Sequence, residues 1–87
     1  MKIDGLTFDL TACACPEQYD VYDNQGKIVG YVRLCWGGLT CEYPDVGGEI
    51  IYSAAIGDRW TGEFESNEQR MRNLGSIAKA IIQKMKT

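Results

Sequence analysis

The chain contains no histidine. The side chain that most often serves as general base and metal ligand near neutral pH is missing, and with it every triad or metal centre built on imidazole. No run of about eighteen apolar residues occurs, so no stretch has the length of a membrane-spanning helix. The opening MKIDGLTFDL carries acids at positions 4 and 9 and lacks the apolar run of a signal peptide. These absences predict a cytoplasmic protein in which Cys13, Cys15, Cys35 and Cys41 stay reduced.

Catalytic signatures are absent as well. No glycine cluster opens a helix as GxGxxG or GxxxxGK[ST], and Ser53, Ser66 and Ser76 lack a nucleophile-elbow context. A four-thiolate zinc site would need two close pairs, and the spacings Cys13-x-Cys15 and Cys35-x5-Cys41 do not match a knuckle. The carboxylate pairs Asp20 with Asp23 and Glu63 with Glu65 sit among scattered surface acids. Neither an enzyme nor a bound metal or cofactor is expected.

What is present is a small domain of 87 residues with an ordinary apolar content of 45%. At this size a single core is marginally stabilising, and self-association is one way to bury more surface. Charge is divided: residues 66–87 carry a net +4 and residues 1–65 a net −7, within an overall −3. The basic share suits a solvated helix face, and the acidic share suits a basic protein partner more than nucleic acid.

The segment KIVGYVRLCWGGLTCEY, residues 27–43, alternates as strands do. Gly37-Gly38 is read as its two-residue hairpin loop, because such loops need positive φ. That register places Trp36 opposite Leu39, Leu34 opposite Cys41 and Arg33 opposite Glu42. Leu34, Trp36, Leu39, Cys41 and Tyr43 then share an inner face. Upstream, EQYDVYD joins this hairpin through Asn24-Gln25-Gly26, with Tyr22 opposite Ile28, Val21 opposite Val29 and Tyr19 opposite Tyr31.

A first strand is predicted over about residues 3–10 and a further one, apolar on both faces, over 50–56. Ala12 to Pro16 is read as a break between strands, because Pro16 lacks an N–H. Gly30, inside a strand, marks a bulge, a bend or a close approach. Ser66 and Gln69 have capping-box spacing, and Met71, Leu74, Ala78, Ile81 and Met85, widened by Ile77 and Ile82, form an apolar stripe. The predicted architecture is one α+β domain, residues 1–87. An antiparallel meander of four or five strands fills about residues 3–64, with a carboxy-terminal helix over about 67–85 packed on one sheet face.

The patterns YDVYDNQGK, GYVRLCWG, GEF and NEQRMRNLGSIAKAI, over roughly residues 19–82, resemble small uncharacterised proteins from bacteria and their phages or mobile elements. That resemblance implies an accessory protein acting by binding and supplies no site residues. From the residues themselves, the face opposite the helix is expected to expose Tyr19, Val21, Val29, Tyr31 and Arg33, a composition suited to binding another protein or a second copy. The alternative is a small-molecule site between the sheet and the loop from Gly57 to Gly62, using Arg59 and Trp60. A dimer burying Tyr19 and Tyr31 would favour self-association.

Overall fold

The computed structural model describes residues 1–13 and 16–86. Cys15, and with it the CxC half of the zinc reading and part of the break before Pro16, lies outside them. Six strands form one antiparallel sheet in chain order: β1 (Lys2–Ile3), β2 (Leu6–Cys13), β3 (Glu17–Tyr22), β4 (Ile28–Cys35), β5 (Gly38–Tyr43) and β6 (Glu49–Ala55). Helix α1 (Asn67–Met85) follows and lies across one face. The strand count exceeds expectation because the first strand is two. Asp4 and Gly5 take positive φ, 53° and 84°, and fold Lys2–Ile3 back onto Leu6–Thr7.

Helix α1 begins as its sequence dictates. The Ser66 hydroxyl accepts the Gln69 amide at 3.1 Å, while the Gln69 side chain reaches back to the Glu65 amide at 2.7 Å, one residue before the cap. Leu74, Ile77, Ala78 and Ile81 are fully buried. Burying each of the larger three contributes about 1.5–3 kcal/mol, so sheet and helix need one another. Met71 and Met85, at the margins of the stripe, remain partly exposed.

The β4–β5 hairpin differs from the expected one by two residues. Its loop is Trp36-Gly37, both at positive φ (54° and 73°), as a type I′ turn requires. Leu34 therefore faces Leu39, Val32 faces Cys41 and Arg33 faces Thr40. A two-residue slip keeps side-chain parity, so Leu34, Leu39 and Cys41 are still inward and fully buried. Trp36 alone changes environment: it leaves the inner face for the turn and is exposed.

The β3–β4 pairing overturns the expected surface patch. Tyr22 does face Ile28, but Val21 faces Gly30 and Tyr19 faces Val32, with Val29 left over as a bulge. One extra residue flips every following side chain on β3 relative to β4. Tyr19, Val21 and Val29 are consequently core residues, and of the predicted patch only Tyr31 and Arg33 lie on the open face. Gly30 sits beside this bulge and beneath the helix: a Cβ there would stand 2.9 Å from Ile81 Cδ1. Its missing side chain admits the helix.

The open face carries Gln18, Asp20, Tyr22, Tyr31, Arg33, Cys35, Thr40 and Glu42 in alternation with the core positions. The Tyr31 hydroxyl donates to Gln18 Oε1 at 2.8 Å. Partial burial, with the neighbouring Asp45 and Asp9 carboxylates, pushes the Asp20 carboxyl above its ordinary range. No described helix is long and apolar enough to cross a membrane.

Candidate functional site

Two regions bring polar and aromatic side chains together, and the loop between β6 and α1 links them. The first is the tip of the β4–β5 hairpin. Its turn is pinned to that loop by the backbone: the Gly37 amide donates to the Thr61 carbonyl and the Ile56 amide to the Gly37 carbonyl, both at 2.8 Å. Gly37 is required here, since a Cβ would stand 2.2 Å from the Asp58 carbonyl oxygen. Asp58 in turn folds the loop. Its carboxylate accepts the Trp60 amide at 2.9 Å and the Thr61 hydroxyl at 3.3 Å, while the Thr61 hydroxyl accepts the Asp58 amide at 3.1 Å.

The consequence is that two tryptophans are brought side by side. Trp36 and Trp60 meet edge to face, ring centroids 6.0 Å apart, yet are 70% and 67% exposed. The Arg59 guanidinium lies over the Trp60 ring at 5.1 Å. Between them is a notch of about 190 Å³ lined by Cys35, Trp36, Trp60 and Gly62. A wider hollow of about 500 Å³ opens on the other side of the loop, where Trp60 is joined by Asp58, Glu63, Glu65 and Gln69.

The second region is buried. Glu17, 1% exposed, is the one charged residue among the buried described residues. Its carboxylate accepts Arg70 Nε at 2.7 Å and Nη2 at 3.3 Å, the Phe64 amide at 3.1 Å, and the Tyr19 hydroxyl. Its own amide donates to the Gly62 carbonyl at 2.8 Å. Burial alone would raise the Glu17 pKa, but the bonds from Arg70, Tyr19 and Phe64 outweigh it and hold the carboxyl below its ordinary value. Burial and the bond to Glu17 push the Tyr19 phenol up in turn. No buried side-chain polar atom among the described residues lacks a partner.

These two regions differ chemically. Glu17 accepts four donors and is held ionised, so it is an acceptor that joins β3, the loop and α1. The Cys41 thiol is buried and pushed up to about 12, which leaves it protonated and inert. Cys35 lies on the open face, opposite in direction to Cys41, 3.7 Å from Arg33 Nη2. No three histidine, cysteine, aspartate or glutamate side chains among the described residues gather as a metal site.

Of the residues singled out from sequence, the structure joins Arg59 and Trp60 at the tip and separates Tyr31 and Arg33, on the open face, from Tyr19, Val21 and Val29 in the core. Three residues escaped that reading: Trp36, Glu17 and Arg70. Arg70 was detectable, because it sits four residues before Leu74 on the buried stripe and a cation there needs a carboxylate. No family model, curated protein or solved structure matches the chain.

Proposed function

We propose that this chain is a non-enzymatic, cytoplasmic accessory domain that binds another protein through the Trp36–Trp60 tip. The observation behind this reading is the pair of largely exposed tryptophans carried by a turn and a loop that are bonded to each other through the backbone. Tryptophan and arginine are the residues most enriched at the energetic centres of interfaces, and a surface ordered beforehand loses less entropy on binding. Trp36 adds a further sign. A bulky residue at φ 54° is strained by about 1–3 kcal/mol, a cost that proteins tend to place at functional sites.

The notch also favours a protein over a small ligand. Ligand pockets run to about 300–1,000 Å³, whereas this one holds about 190 Å³, room for a single inserted side chain. A second reading is a small ligand in the 500 Å³ hollow beside Trp60, a volume within that range. Affinity capture from the source cells separates the two, with wild type and the Trp36→Ala/Trp60→Ala double variant run in parallel. A protein retained by wild type and lost from the folded double variant is the expected result. Equal retention by both, or none by either, would contradict the proposal. A small organic molecule retained by wild type without any protein, and lost from the double variant, would favour the second reading.

A further inference from the structure

We propose, resting on the protein-binding reading of the Trp36–Trp60 tip, that the tip takes a basic segment of its partner protein. An apolar side chain of that segment enters the notch, and a neighbouring lysine or arginine enters the hollow on the other side of Trp60. The two openings are contiguous, since Trp60 and Gly62 line both. An extended segment presents alternate side chains to one face, which suits two openings separated by a single ring.

The occupant follows from the charge of the linings. The notch, between Cys35, Trp36, Trp60 and Gly62, holds no carboxylate and no cation. The hollow is lined by Asp58, Glu63 and Glu65 and by no basic residue. Asp58 is spent within the loop, on the Trp60 amide and the Thr61 hydroxyl. Glu63 and Glu65 are exposed, and among the described residues neither lies within ion-pair distance of a cation.

Arg59, the one cation of the loop, is stacked on the Trp60 ring and lines neither opening, so it does not neutralise the hollow. A lysine or arginine lodged there meets the Glu63 and Glu65 carboxylates with the Trp60 ring beside it, and an aromatic face attracts a cation as well. An acidic segment would instead set like charges together, which is how interfaces reject wrong partners. The net −7 of residues 1–65 draws a basic chain in the same direction at long range.

Selection from a random, tryptophan-free peptide library on the full wild-type chain tests this, with the Trp36→Ala/Trp60→Ala variant as counter-screen. The chain has two tryptophans, both at the tip, so its intrinsic fluorescence reads occupancy there directly. The expected result is peptides that carry a lysine or arginine close to a large apolar residue and change the wild-type emission. They should bind about tenfold more weakly to Glu63→Lys/Glu65→Lys, and weaken as salt rises. If the charge reversal does not fold, Glu63→Gln/Glu65→Gln and the salt series decide. Peptides with no basic preference, or basic peptides indifferent to both the charge change and salt, would overturn the proposal and leave the tip a protein-binding surface. No enrichment at all would also overturn it, with the affinity capture then judging the tip alone. Peptides that bind the double tryptophan variant equally well would contradict both readings.

Discussion

The Glu17 cluster and the Trp36–Trp60 tip share the loop from Gly57 to Phe64 but use it in opposite ways. At one end of the loop a charge is taken out of water and surrounded by four donors. At the other end, two of the largest apolar side chains are left in water, edge to face with one another. A buried ionic cluster is costly to assemble and costly to break, so it acts as a joint. Exposed tryptophans contribute little to folding, and under the proposed function their surface meets a partner. The joint positions the tip: Gly62 and Phe64, bound to Glu17, end the same loop whose Thr61 holds the Gly37 turn.

The largest expected effect comes from breaking the joint. Glu17→Ala leaves the Arg70 guanidinium, the Phe64 amide and the Tyr19 hydroxyl without their acceptor, a loss of about 3–5 kcal/mol by analogy with other buried pairs. For a domain of this size the thermal midpoint would fall by more than about 12 °C, measurable by calorimetry. Because the folded Glu17 pKa lies below its unfolded value, its contribution is complete above the ordinary glutamate range and fades as pH falls through the lowered folded value. The stability gap between wild type and Glu17→Gln, from urea titrations, should therefore be widest near neutrality and close in acid. A gap independent of pH would mean that the ionised form is not what the cluster stabilises.

A smaller effect should follow from severing the connection between the regions. Gly37→Ala forces a Cβ against the Asp58 carbonyl at a backbone φ of 73°, and strain of this kind costs about 1–3 kcal/mol. Loss of the edge-to-face ring contact, seen as changed indole chemical shifts for both tryptophans, should accompany it. The smallest effect on stability is expected for Trp36→Ala, about 1 kcal/mol or less, since most of the ring is already in water. Its consequence should appear in binding.

Much of the architecture was legible because it depends on local patterns. Ser66 with Gln69 and the stripe from Leu74 to Ile81 specify α1 without tertiary information, and the alternation around Leu34 and Leu39 survives an error of two residues in register. What was not legible depends on single residues that break a pattern. Val29 as a bulge reverses the faces of β3, and nothing in VYDNQGKIVGYV distinguishes a bulged strand from a straight one except Gly30, which marks the place but not the direction. Trp36 is an improbable turn residue beside two glycines, so the glycine pair draws the expected loop one residue late. The contact between Glu17 and Arg70 spans 53 positions and forms only when sheet and helix are docked.

The separation of joint from tip is tested most directly by equilibrium urea unfolding of Glu17→Ala and the Trp36→Ala/Trp60→Ala double variant against wild type, under one set of conditions. We predict that the Glu17 variant loses about 3 kcal/mol or more, while the double tryptophan variant loses less than about 2 kcal/mol with an unchanged denaturant slope. A double tryptophan variant as destabilised as the Glu17 variant would make the tip part of the core and remove the case for a recognition surface there.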